Sequence, residues 1–232
     1  MNGVGVARTK DPAVHALRRD EFVDSAIRLM QERGWASTSI QEVIDDVGAS
    51  KGAFYHYFGS KADLLDAVID RITTVATDSI RPMVADPGLT SLDKLQGLFA
   101  GIARWKGERT DLMLAVVEAW EADDNAVVRE KFRRSAVGLM APMLADIIRQ
   151  GRTEGRFEGL DPDEASHVLA SYMLGANDAA VQLYTARRAD AITFEAVERR
   201  FAAYWQGLER YLGLPAGSLV IVDPDVLRQW FG

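Results

Sequence analysis

Apolar residues recur at steps of three and four along nearly the whole chain, and no convincing two-residue alternation precedes the tail. Val14, Leu17, Phe22, Ile27, Leu29 and Met30 form the first stripe, opened by Asp11-Pro12 and closed by Gly34. Thr38, followed three residues later by Gln41, predicts a capping box for a helix carrying Val43, Ile44 and Val47. Gly48 stops that helix early, and Ser50 caps a shorter one from Lys51 to Tyr57. Gly59 and Ser60 interrupt again, and Ser60 with Asp63 opens a long helix through Leu64, Leu65, Val68, Ile69 and Ile72. The pattern predicts an all-α fold.

Two short helices around a tight turn at Gly48-Ala49 cannot stand alone in water, since isolated helices below about 12–15 residues are marginal. They must pack on the first helix and on the start of the fourth. Phe54 and Phe58, spaced by four, supply inward anchors opposite Ile40, Val43, Ile44 and Val47. Lys51, Gly52, Tyr55 and His56 are left facing outward. This is a helix-turn-helix pattern, whose second helix offers its N-terminal residues to a DNA groove.

Beyond it the chain reads as a larger helical domain. Pro82, Pro87 and Gly88 mark a break, and Ser91 opens a helix to about Gly107. Helices from Asp111 to Glu121 and from Asn125 to Gln150 follow, the latter kinked at Pro142. Residues 151–159 read as loop. Asp161-Pro162 starts a helix carrying Val168, Leu169, Tyr172, Met173, Ala176 and Ala180, and Thr193 caps another with Phe201, Tyr204, Trp205 and Leu208. Two such terminal helices suit a four-helix bundle shared by two subunits, or simple closure of the monomer core. The tail from Leu219 to Phe231 is apolar enough to pack back on this domain.

Composition narrows the chemistry. The chain has 232 residues, 48% hydrophobic and 26% charged, which is globular composition. With no cysteine, disulfides, thiolate metal sites and Cys nucleophiles are excluded. The opening segment lacks an apolar signal core and no run of about 18 apolar residues occurs, so a cytoplasmic protein without membrane contact is expected. Residues 1–61 carry no net charge, and the remainder carries the whole −7. Between Asp46 and Asp63 there is no acid, while Lys51, His56 and Lys61 lie in the gap; phosphate contact is possible there because fields act within roughly a Debye length. His15, His56 and His167 fall in three different helices without metal-ligand spacing, and no nucleophile elbow or nucleotide-binding glycine loop follows a strand. No catalytic residue, metal site or cofactor is expected.

The stretch from Phe22 to Leu65 resembles the tetracycline-repressor (TetR) family. The match runs through Gly34-Trp35, Thr38-Ser39-Ile40, the run from Ile44 to Phe58, and Ser60-Lys61-Ala62-Asp63-Leu64-Leu65. The resemblance implies a DNA-binding domain over residues 1–61, with a flexible arm over about 1–11 bearing Arg8 and Lys10, and a ligand-binding and dimerisation domain over 62–232. It implies DNA contacts from Thr38, Ser39, Ser50, Lys51, Gly52, Ala53, Tyr55, His56, Tyr57 and Lys61. Thr38 and Ser50 would meet phosphates at positive helix ends. Gly52 would allow close backbone approach, and Ala53 would offer only a methyl group to thymine. The partners implied are a palindromic double-stranded operator, a second copy of the chain and a small-molecule effector.

For the effector pocket the candidates are Phe99, Trp105, Met113, Trp120, Met140, Met143, Tyr172 and Met173, each of which reads first as ordinary core. Their Met and Trp content suggests a largely apolar or aromatic effector that releases a repressor from DNA. A DNA-binding regulator without a small ligand is the alternative, and an enzyme a distant one.

Overall fold

The computed structural model describes residues 12–121, 126–157, 159–219 and 224–232, which form ten α-helices. Asp11, the 1–11 arm with Arg8 and Lys10, Asp123-Asp124, Asn125 and Val220 to Asp223 lie outside the described residues.

Three helices build the N-terminal head: α1 (Pro12–Arg33), α2 (Ile40–Val47) and α3 (Lys51–Tyr57). Fully buried Phe22, Met30, Val43 and Phe54 form its centre. Phe22 meets Phe54 edge-on at 5.5 Å, which fixes α3 against α1. The apolar stripe of α1 begins later than its sequence suggests. Val14 and Leu17 are exposed, because the first turns of α1 extend beyond the short helices that cover Phe22, Val23 and Ala26.

α4 (Lys61–Ala85) joins the head to the rest. Leu64, Leu65, Val68 and Ile69 complete the head core, whereas Ile80 and Val84 belong to the second core. Pro82 lies inside this helix rather than after it. It sits in the last turn, so the one hydrogen bond that proline cannot make is lost where the helix is ending anyway.

The larger domain contains α5 (Ser91–Gly107), α6 (Thr110–Glu121), α7 (Ala126–Thr153), α8 (Pro162–Arg188), α9 (Phe194–Leu212) and α10 (Pro224–Phe231). α5 is capped by Thr90 and Asp93 in a reciprocal box, one residue earlier than Ser91. α7 runs through Gly151 to Thr153, so the expected loop starts three residues late. Gly151 stands inside this helix with Phe157 folded back onto it: the buried ring fills the space that a β-carbon would take. Gly213, at φ 68°, ends α9. Leu219 N–H then donates to the buried Glu209 carboxylate at 3.0 Å, and Leu227 and Phe231 of α10 pack on Val197 and Phe201 of α9.

Candidate nucleic-acid interface and effector cavity

The turn between α2 and α3 follows from backbone hydrogen bonding. Gly48 adopts φ 63°; its N–H reaches Asp45 O at 3.1 Å and Ala49 N–H reaches Ile44 O at 3.0 Å, a Schellman closure. Ser50 then accepts from Ala53 N–H and starts α3. At the other end of α2 the cap is Ser39, not Thr38. Ser39 Oγ accepts from Glu42 N–H while the Glu42 carboxylate accepts from Ser39 N–H at 2.8 Å. That hydrogen bonding, from the Ser39 backbone and then its hydroxyl, holds the Glu42 carboxyl below the usual carboxylate range. Thr38 is buried, and its hydroxyl donates to Gly34 O at 2.9 Å. The expected phosphate contact from the Thr38 hydroxyl is therefore corrected: its side chain is spent inside the loop that precedes α2.

One face of α3 is open. Lys51, Gly52, Tyr55 and His56 are exposed and Ala53 and Tyr57 half-buried, with Lys51 Nζ 6.0 Å from the Tyr55 ring centre. Tyr57 leans on His15 of α1 at 4.6 Å, so its ring braces α3 while its edge remains accessible. Lys61 Nζ donates to Trp35 O at 2.8 Å and lies 4.8 Å from the centre of the Trp35 indole, which leaves further ammonium protons free to donate. Burial pushes its ammonium down, opposed by the nearby Glu118 and Glu42. Asp46, the acid nearest in sequence to this face, is tied back by Ser25 and Arg28 of α1.

A cavity of about 350 Å³ lies in the larger domain. Of the eight residues expected at an effector pocket, seven reach its wall: Phe99 and Trp105 on α5, Met113 and Trp120 on α6, Met140 on α7, Tyr172 and Met173 on α8. Met143 is not among the wall residues and is buried in the second core with Leu144 and Ile147. Trp230 and Phe231 of α10 close another side. Four polar wall residues escaped the sequence reading, Thr73 and Thr77 on α4 and, the most polar, Lys106 on α5 and Asn177 on α8. The last two each stand on an apolar stripe, Lys106 after Phe99 and Ile102, and Asn177 between Met173 and Ala180; a polar residue at such a position was the available signal. Among the described residues no group of three or more His, Asp or Glu could hold a metal, and no helix is long and apolar enough to cross a membrane.

The cavity and the head share two elements. α4 contributes Leu64 and Leu65 to the head core and Ile72, Thr73 and Ala76 to the cavity. α6 sets Ala115 and Ala119 in the head core and Met113 and Val117 in the cavity wall.

Residues 22–68 match the family described as bacterial regulatory proteins, tetR family. The HTH-type transcriptional repressor KstR2 of Mycolicibacterium smegmatis is 26% identical over 154 residues, 66% of this chain and 74% of that protein. The uncharacterized HTH-type transcriptional regulator Rv0196 of Mycobacterium tuberculosis is 30% identical over 192 residues, 78% of this chain and 91% of its own length. Among solved structures, a TetR transcription regulator from Haloarcula marismortui is 27% identical with a TM-score of 0.56, covering 72% of this chain and 88% of that one. The fatty acid degradation regulator FadR from Bacillus halodurans, 20% identical with a TM-score of 0.55 over 78% of this chain and 89% of its own, shares the fold. These relatives regulate transcription and are not enzymes; with an HTH-type relative aligned along most of the chain, the protein belongs to the TetR family of bacterial transcriptional regulators.

Proposed function

We propose that the protein is a repressor that binds a palindromic operator as a homodimer and is released by a small, largely apolar effector. The observation that carries this reading is the sharing of α4 and α6 between the head core and a cavity of about 350 Å³. A ligand shifts an equilibrium only by its differential affinity for two states, so a cavity walled by the helices that hold the head is where such a difference can act. Occupancy would move α4 and α6, and with them the spacing of two recognition helices across the dimer. On this reading residues 1–61 form the DNA-binding unit and 62–232 the sensor and dimerisation unit. α8 and α9 pair with their counterparts in the second subunit.

At the operator, Ser39 and Ser50 stand at helix N-termini suited to phosphate. Lys51, Tyr55, His56 and Tyr57 reach backbone or bases, Gly52 and Ala53 let the duplex approach, and Lys61 adds a phosphate contact from its remaining protons. The name of KstR2 as a repressor supports the direction of control.

The test is selection of DNA from a random pool with the purified protein, followed by affinity at several salt concentrations. A palindrome should emerge, bound by two chains, with Lys51→Ala and Tyr55→Ala weakened and the Lys51→Ala salt slope reduced by about one. No enriched sequence, or an asymmetric site bound by one chain, overturns the reading.

A further inference from the structure

The wall of the cavity is mostly apolar. Lys106 is its only charged residue among the described ones, and Lys106 Nζ donates to Asn177 Oδ1 at 2.7 Å across the gap between α5 and α8. No described carboxylate lies within ion-pair distance of that ammonium, whereas thirteen other described Lys and Arg side chains form ion pairs. Asp178, the next residue along α8, is taken by Arg133 at 2.7 Å. Burial alone pushes the Lys106 ammonium down, with no negative neighbour to restore it.

Two of the neutral hydroxyls of the wall already donate to backbone carbonyls. Thr73 Oγ1 donates to Ile69 O at 2.7 Å, and the Tyr172 hydroxyl donates to Tyr204 O at 2.7 Å. The ammonium is the one charged donor among the described wall residues, and it stands beside the Asn177 amide Nδ2 in a lining that includes Phe99, Ile102 and Met173. A half-buried ammonium in a mostly apolar wall, faced by a neutral amide and no carboxylate, is a costly arrangement that an incoming anion relieves.

We propose that the effector is an amphipathic monoanion, its carboxylate held by Lys106 Nζ and Asn177 Nδ2 and its apolar body filling the rest of the cavity. This rests on the reading of the cavity as an effector site. A volume of about 350 Å³, at roughly 30 Å³ per water-sized group, fits a body of about a dozen heavy atoms. The positive wall and the single carboxylate belong together: a neutral guest would leave the ammonium unpaired, and a cationic one would be repelled.

Three probes of equal length separate the possibilities: decanoate, decanamide and decylamine, titrated calorimetrically into the full chain below their aggregation concentrations. Decanoate should bind once per chain, decanamide about tenfold or more weaker, and decylamine not at all. Lys106→Met should weaken decanoate by a similar factor while leaving decanamide unchanged, and Lys106→Arg should retain the preference, showing that charge and not folding is read. If decanamide equals decanoate, or Lys106→Met keeps the preference, the head-group assignment is overturned and the cavity remains an effector site for neutral ligands. If neither binds, both the assignment and the effector reading of the cavity fall.

Discussion

The carboxylate of Glu118, on α6, rests against Gly34 at the end of α1: a β-carbon at residue 34 would stand 2.6 Å from Oε2. Gly34 has φ 81°, the left-handed turn that takes the chain from α1 toward Trp35. Gly34→Ala carries a left-handed penalty of about 1–2 kcal/mol, and the flexible Glu118 side chain can step aside at little further cost. The thermal midpoint should therefore fall in Gly34→Ala, recover in part in Gly34→Asn, and gain nothing when Glu118→Ala is added. Rescue by Glu118→Ala would show that the contact, and not the backbone, sets the penalty.

Thr38 and Ser39 should separate cleanly. Thr38→Val removes a donor from Gly34 O and should cost about 1 kcal/mol of stability, while the folded protein keeps its affinity for DNA. Ser39→Ala removes the α2 cap, costs about 1 kcal/mol as well, and also weakens DNA binding. Denaturant melts paired with operator titrations at saturating folded fraction give both readings. Equal loss of affinity in the two variants would return Thr38 to the interface.

Asp46 supplies a pH signature. The hydrogen bond from Ser25, followed by the Arg28 guanidinium, holds its carboxyl below the ordinary aspartate value of 3.8. A depressed folded value means that its contribution is complete above the unfolded value and is lost as pH falls through the folded one. Asp46→Asn should be less stable than the parent near neutrality, and the difference should shrink below about pH 3.8. Urea midpoints from pH 3 to 6 test this; parallel curves would remove Asp46 from the acid response.

At Gly151 the expected effect is steric. The buried Phe157 ring occupies the place of a β-carbon, so Gly151→Ala should cost about 1–3 kcal/mol despite its better helix propensity. Pairing it with Phe157→Leu should return part of the loss, read as non-additivity in a double-mutant cycle.

The helix-turn-helix was legible because its signals are local. Gly48, Ser50, Ser60, Phe54 and Phe58 each specify a stop, a cap or an anchor within one turn of themselves. The α2 cap was missed by one residue because Thr38 with Gln41 and Ser39 with Glu42 both fit the box; only packing chooses the register that buries Val43 and Ile44. The cavity was harder. A stripe at 3.6-residue spacing shows which face of a helix turns inward, and does not distinguish a packed neighbour from empty space. Met140 and Met143 lie on one such stripe and in the same core, yet only Met140 lines the cavity. The fold of residues 154–157 depended on a contact with Gly151 that no local pattern announces.

On the effector reading proposed for the cavity, α10 lets the protein change what it answers to. Its eight residues place Val226, Leu227, Trp230 and Phe231 against the cavity, and none of them belongs to the head core or to the core along α7 and α8. Substitutions at Val226 or Trp230 thus reshape the chemistry of one wall while operator contacts, caps and the main helical packing stay as they are. Selection for a new inducer could proceed in this terminal helix alone, so that related regulators would diverge in response before they diverge in DNA address.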